Sequence, residues 1–181
     1  MEPHQKHYRA KMREHGWMDE ADKMIWPSDT EGRERMARGL FGIEMVSSVD
    51  YWRMLAEDEL DDTFKAPWAA SPGKKLHPDE VARREALKTL NEEQRQAVRD
   101  LLDQLVTGEL HSFCTALDRT LGGTTITIHP PDRNEAKNEP VEIHSSGQDE
   151  WMYEQFQWLK DFSILYGDDQ PEPDQSPDQV L

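Results

Sequence analysis

The sequence has one cysteine, Cys114, and no apolar run long enough to cross a bilayer. A single thiol excludes an intramolecular disulfide framework and fits a reducing compartment. Positive charge is also scarce, because 21 Lys and Arg stand against 37 Asp and Glu and leave a formal net charge of −16. Residues 1–13 mix charged side chains with no apolar centre, which is unlike a secretory signal. We therefore expect a cytoplasmic protein.

The shortage of positive charge restricts the class of partner. An excess of carboxylates repels phosphate backbones and anionic lipid headgroups, so the composition disfavours nucleic-acid and membrane ligands. The same charge speeds the encounter with a basic protein. Acidic surfaces also serve solubility alone, so charge does not by itself separate a docking role from a solvated surface.

Motifs that carry catalysis are missing or misplaced. A phosphate-binding glycine loop, a zinc-protease helix and a dinucleotide fingerprint do not occur in the sequence. Residues 131–137 contain the carboxylates and lysine of a metal-dependent nuclease, but within one loop, whereas such ligands converge from separate strands. Ser71 precedes Lys74 by three residues, but Pro72 and Gly73 disfavour the helical turn that acyl-transfer enzymes use. The sequence predicts neither an enzyme nor a cofactor.

Helical periodicity is what the first third of the chain does contain. Apolar residues within 8–26 predict one or two short helices, interrupted near Gly16 and ended by Pro27. The pair Ser28 and Glu31 has the spacing of a capping box and predicts the start of the next helix.

An acidic run is the densest charge cluster of the part predicted to fold. It follows a second predicted helix start at Ser47 and Ser48. The run lacks the glycine and the alternating oxygen ligands of a calcium loop, so we interpret it as a solvated patch that faces a partner. Its carboxylates are Glu57, Asp58, Glu59, Asp61 and Asp62.

Residues 65–78 are rich in Pro and Gly and predict a connector. Helical pattern resumes at Asp79, and Thr89 with Glu92 predicts a further capping box. Gly108 is placed to end that helix, after which another helix is predicted. The first of these helices carries a broad apolar stripe: Ala97, Val98, Leu101, Leu102, Leu105 and Val106. The apolar residues of the second are assigned to the core: Leu110, Phe113, Cys114, Leu117 and Leu121.

Two alternating segments, 124–129 and 141–144, predict an antiparallel hairpin, and the aromatic residues after Gly147 predict a helix that covers it. The predicted fold class is α+β and mainly helical, with several helices around a small hairpin or sheet. We expect one domain over residues 1–166, with a helical first part (1–64), the connector and an α+β second part (79–166). Residues 167–181 are acidic and Pro-rich and predict a disordered tail.

The hairpin carries the candidate metal site, His129, His144 and Glu142, since imidazoles and a carboxylate on one face suit zinc or general-base chemistry. One strand register places His129 opposite Glu142, and the alternative places Glu142 beside Thr127. An exposed polar face of the hairpin explains the same residues, and no motif of fixed ligand spacing accompanies them.

His111 and Cys114 lie one helical turn apart and are a second candidate ligand pair. Cys114 belongs to the apolar stripe, however, where buried thiols are usually inert. A core cysteine is the preferred interpretation.

Six tryptophans are many for 181 residues, and aromatic side chains anchor interfaces as well as cores. We expect most of them in the core. Trp68, in the connector, and Trp151, in the first turn of its helix, are the two expected to be partly exposed. An aromatic anchor beside carboxylates suits a basic protein.

The function that these patterns favour is a small acidic binding protein of the inhibitor or immunity type. It would neutralise a basic protein such as a toxin or nuclease through Trp68, Trp151 and the acidic run 57–62. A metal-binding protein or metal-dependent enzyme is the alternative, and a nucleic-acid mimic is the third. The sequence leaves the oligomeric state open.

Overall fold

The computed structural model describes residues 3–61, 77–119, 124–129, 139–145 and 150–167. Three predicted segments lie outside these ranges: the tail beyond Gly167, the connector up to residue 76 and the candidate nuclease segment 131–137. In chain order the elements are α1 (Pro3–Glu14), α2 (Thr30–Asp61), α3 (Pro78–Lys88), α4 (Glu92–Asp118), β1 (Thr125–Ile128), β2 (Val141–His144) and α5 (Glu150–Phe162). The described residues thus form five helices and one antiparallel hairpin, which confirms the predicted mainly helical α+β class.

The connection between α1 and α2 begins at the predicted interruption. Gly16 follows the end of α1 with a φ of 72°, in the left-handed region that favours glycine. The residues after it are not helical and include an antiparallel bridge between Met18 and Met24. The sequence predicted one or two helices in this stretch, and the structure has one, α1.

Helix α2 is a single element of 32 residues, about 48 Å long at 1.5 Å per residue. Asp29, rather than Ser28, caps it by accepting the Gly32 N–H at 2.7 Å, and this hydrogen bond lowers the pKa of Asp29. The helix start predicted at Ser47 is wrong, because the Ser47 hydroxyl donates to the Glu44 carbonyl within the continuous helix.

Two glycines let aromatic rings approach α2 closely. A Cβ at Gly39 would overlap the indole of Trp17, and one at Gly42 would lie 2.5 Å from the indole of Trp158. Both rings are nearly buried. These glycines therefore fix how the segment after α1 and helix α5 pack on α2.

Helix α4 is capped by Asn91 and Gln94, two residues beyond the capping box predicted from Thr89. It continues through Gly108 to Asp118, so the predicted break at Gly108 is wrong. A glycine inside a helix costs only about 1 kcal/mol relative to alanine. The buried contacts of Leu110 and Cys114 beyond it offset that cost.

Helix α5 is capped from a distance by the buried Asp118 at the end of α4. Its carboxylate accepts the backbone N–H of Trp151 at 3.2 Å and of Met152 at 2.9 Å, and the Ser145 hydroxyl at 2.7 Å. Helix α5 packs on α4 and α2, whereas β2 packs on α2 through the fully buried Ile143. The hairpin is thus covered mainly by α2, not by the aromatic helix as predicted.

One hydrophobic cluster joins α1, α2, α4, α5 and the hairpin, whereas α3 contributes no buried residue to it. No described helix combines the length and the apolar character needed to span a membrane. The fully buried members of the cluster are Met36, Ala37, Val46, Cys114, Ile143 and Trp151.

Candidate functional site

Helices α2 and α4 run antiparallel, and ion pairs fix their alignment. Arg53 binds Asp103, while Asp61, about two turns further along α2, accepts from Arg95 at 2.9 Å. Because Arg95 precedes Asp103 by about two turns of α4, the two helices are aligned in opposite directions. Extending this alignment backwards along α2 places Trp52 beside Leu105.

The predicted partner-facing carboxylates supply these ion pairs. They lie at the C-terminal end of α2, where α3 and α4 approach it, and Asp62 is outside the described residues. Each of the four described carboxylates accepts hydrogen bonds from arginine: Glu57 from Arg53 and Arg99, Asp58 from Arg84, Glu59 from Arg83, and Asp61 from Arg95 and Arg99.

The arginines favour the charged form of two of these carboxylates, Glu59 and Asp61. Hydrogen bonds from Arg83 at 2.6 Å lower the pKa of Glu59. Burial alone would raise the pKa of Asp61, but hydrogen bonds from Arg99 and Arg95 bring it below its ordinary value. The run therefore joins three helices, and its expected solvation is wrong, since Asp58 is almost fully buried. Its role in partner binding stays a prediction.

The two tryptophans predicted to be exposed have different outcomes. Trp68 lies outside the described residues. Trp151 is completely buried, packs edge-on against Phe41 and lies under the guanidinium of Arg38 at 5.1 Å. Its predicted exposure is wrong because its helix turns this side chain into the core shared with Trp158.

The hairpin adopts the second of the two registers considered, with Glu142 opposite Thr127. Glu142 and His144 share its exposed face, with 3.8 Å between the His144 Nε2 and a carboxylate oxygen. His129 lies beyond the last paired residue of β1. Within the described ranges, no group of three His, Cys, Asp or Glu side chains has the arrangement of a metal site.

The two residues of the second candidate ligand pair differ in burial. Cys114 is fully buried, and burial raises the pKa of its thiol to about 12, as expected for a core cysteine. His111 is exposed and shares a 2.6 Å hydrogen bond with the side-chain amide of Gln155.

An apolar groove of about 420 Å³ lies between α2 and α4, next to the ion pairs. Three of its residues expose large apolar surfaces, with exposed fractions of 56% for Trp52, 55% for Leu105 and 45% for Phe113. Leu101, one turn before Leu105, is equally exposed. The groove is lined by Met45, Ser48, Val49, Trp52, Leu105, Val106, Glu109, Leu110 and Phe113.

The groove arises because α4 carries two neighbouring rows of apolar residues. The row that contains Leu110 and Cys114 is buried. The other row, Leu101, Leu105 and Phe113, follows a spacing of four and eight residues and stays exposed. The assignment of Phe113 to the core is therefore wrong. The broad stripe that contains Leu101 and Leu105 was the sequence signal for a second surface.

The walls of the groove contain no positive charge. Segments 39–52 and 100–118, which include every lining residue, have no Lys or Arg. Glu44, Asp100 and Glu109 lie on these segments with exposed side chains. An apolar surface whose wall segments carry carboxylates and no Lys or Arg is complementary to an apolar element with basic flanks.

A larger concavity of about 810 Å³ lies between the start of α2 and α5. Its indoles, Trp17 and Trp158, are almost fully buried, and Arg38 is held by Glu34 and Glu154. Burial raises the pKa of Glu154 although Arg38 opposes this. Charges of both signs line this concavity, and none of its large apolar side chains stands exposed, whereas the groove between α2 and α4 exposes three. The groove is therefore the better candidate site.

Comparison of the chain with protein-family models, with curated proteins and with solved structures finds no match. The groove is therefore the basis for the proposed function.

Proposed function

We propose that this protein is a binding protein that captures a basic protein through the groove between α2 and α4. The observation that carries the proposal is the exposure of Trp52, Leu105 and Phe113 in groove walls that have no Lys or Arg. Contiguous exposed apolar surface of this kind marks interaction sites on soluble proteins.

The residues of the groove are of the type that supplies binding energy. Trp is the residue most enriched among energetic centres of interfaces, and Trp52 stands with more than half of its surface in solvent. A partner that covers Trp52, Leu105 and Phe113 removes large apolar surfaces from water, which favours binding by about 25 cal/mol for each Å² buried. The surrounding carboxylates add selectivity for a basic partner and raise its association rate.

The charge of the whole chain supports the same class of partner. A formal net charge of −16 opposes self-association through a groove that itself lacks cations. It also opposes binding of nucleic acid. An inhibitor or immunity-type role, in which the protein occludes a basic toxin or nuclease, is the biological setting that we propose for this binding.

The alternatives considered from the sequence gain less support. The exposed face with Glu142 and His144 lacks a third described ligand nearby. A nucleic-acid mimic needs free carboxylates spaced like phosphates, whereas the densest described carboxylates are bound by arginines of α2, α3 and α4.

The test is affinity capture from a native lysate with matched variants as bait. Trp52→Ala with Leu105→Ser removes the groove's apolar anchors, and Tyr153→Ala with Val81→Ala removes two exposed apolar side chains elsewhere. We expect basic proteins to be retained by the wild type and the control in low salt, and lost from the groove variant. Equal recovery on all three baits, or no recovery in either low or high salt, would contradict the proposal.

A further inference from the structure

We infer that the groove receives one amphipathic α-helix of about three turns, with basic residues beside its apolar stripe. This inference rests on the proposed function and specifies the partner's binding element. It follows from the shape, length and charge of the groove.

The shape of the groove fits a helix because both walls are helices. On α4, Leu101, Leu105, Glu109 and Phe113 form a ridge at four-residue spacing. On α2, Met45, Val49 and Trp52 recur at four and three residues. Ridges of one helix pack into the valley between ridges of its neighbours. A third helix laid along the valley therefore meets side chains from both walls.

An extended strand has no comparable partner in the groove. Strand addition needs backbone N–H and C=O groups at a free sheet edge, and the groove's backbone groups belong to helices α2 and α4. In the part of the chain that the structure describes, strands occur only in the β1–β2 hairpin, and no hairpin residue lines the groove.

The exposed row on α4 sets the length of the occupant, and it begins at Leu101, one turn before the first α4 residue that lines the groove. Leu101 and Phe113 are twelve residues apart on α4, which corresponds to about 18 Å or just over three turns. Trp52 stands beside Leu105, about one turn from the Leu101 end of this span. An occupant of about 12 residues with apolar side chains at i, i+4, i+7 and i+11 covers the exposed row.

The charges beside the groove set the flanks of the occupant. Glu109 lines the groove itself, and Glu44 on α2 and Asp100 on α4 are exposed on its wall segments, which have no Lys or Arg. Lys or Arg beside the apolar stripe of the occupant would lie next to the carboxylates of the groove walls and attract them. Glu at the same positions of the occupant would repel those carboxylates.

Four synthetic peptides of about 18 residues test the inference by fluorescence anisotropy in low salt. The first is a Leu/Lys peptide with leucines at helical spacing. The second has the same composition with alternating leucines, the third has Glu in place of Lys, and the fourth carries a central Pro. We expect the first to bind at least about tenfold more tightly than each of the others.

Protein variants locate the binding. Leu105→Ser and Trp52→Ala should each lower the affinity of the protein for the first peptide by about tenfold or more. Tyr153→Ala should leave this affinity unchanged. Equal binding of the alternating peptide would overturn the helix inference while leaving a basic partner in place. Equal binding of the Glu peptide would overturn the proposed function instead. Groove variants that bind like the wild type would place the peptide elsewhere and overturn the helix inference.

Discussion

At the scale of single residues, Asp50 joins three parts of the chain. It is completely buried in α2 and accepts the Tyr8 hydroxyl of α1 at 2.6 Å, the Ser163 hydroxyl at 2.5 Å and the Ile164 N–H at 2.8 Å. Burial, followed by the charge of Asp50, raises the pKa of Tyr8. Three donors satisfy a carboxylate that no residue pattern in the sequence marked.

Asp50→Asn should destabilise the fold by about 1 to 3 kcal/mol. The amide replaces one accepting oxygen with a donor that faces donors, so a buried group loses its partner. Urea unfolding measures the loss, and Asp100→Asn, on the exposed face of α4, should change stability by less than about 0.5 kcal/mol. Equal effects at both positions would show that the hydrogen bonds of Asp50 contribute nothing specific.

The Cys114 thiol should resist alkylation in the native protein at neutral pH. It is fully buried and burial raises its pKa to about 12, so the reactive thiolate is scarce as well as shielded. Mass spectrometry after iodoacetamide treatment, with and without urea, checks this. Rapid labelling without urea would mean that the core around Cys114 opens readily.

At the scale of elements, the glycines of α2 and α4 have opposite roles. Gly39→Ala should destabilise by about 1 to 3 kcal/mol, because its Cβ meets the buried Trp17 indole. Gly108→Ala is the matched control inside α4, where a Cβ has no neighbour within 4 Å, and it should stabilise by about 0.5 to 1 kcal/mol. Thermal unfolding of both variants compares them, and destabilisation by Gly108→Ala would contradict the helical conformation of that residue.

The ion pairs that join α2, α3 and α4 should make stability depend on acid. The pKa values of Glu59 and Asp61 are lowered in the folded protein, so their contribution to stability is complete above the ordinary carboxyl range. It is lost as the pH falls from that range through the lowered pKa values of the folded protein. Arg99→Gln should reduce the loss of unfolding free energy between about pH 5 and pH 3. Lys160→Gln, an exposed change on α5, serves as the control, and an identical acid dependence in Arg99→Gln and the wild type would contradict this role.

The sequence predicts the elements better than their junctions. Periodicity locates α5 and the β2 strand, whereas Ser47 and Gly108 suggest breaks that tertiary packing overrides. Exposure of Leu105 and burial of Trp151 depend on which helices lie beside them, and this depends on long-range contacts that local spacing does not encode. The groove was accessible from the sequence only as an unusually broad apolar stripe on α4.

At the scale of the whole molecule, negative charge is divided between different roles. Five acidic residues and no Lys or Arg lie in 168–181, which leaves −11 on residues 1–167. The carboxylates of 57–61 are bound to arginines, and Glu44 and Glu109 belong to the groove walls. Charge alone therefore does not locate the proposed binding face, which we infer from apolar exposure together with groove walls that have no Lys or Arg.

Deleting residues 168–181 should leave the affinity for the basic amphipathic peptide within about threefold at physiological salt, where charges beyond about 8 Å are largely screened. Anisotropy titrations of the full and shortened chains make the comparison. A loss of binding on deletion would assign recognition to the acidic tail instead of the groove.

The most direct test of a basic-partner site at the groove is an NMR titration of ¹⁵N-labelled protein with the Leu/Lys helical peptide. Trp52→Phe identifies the Trp52 indole signal among the six tryptophans. We predict that this signal and the backbone amides around Leu105 and Phe113 shift most, in a saturable manner. Shifts confined to residues 57–61 or to the concavity beside Trp17 would contradict the account, as would an unchanged Trp52 indole at saturating peptide.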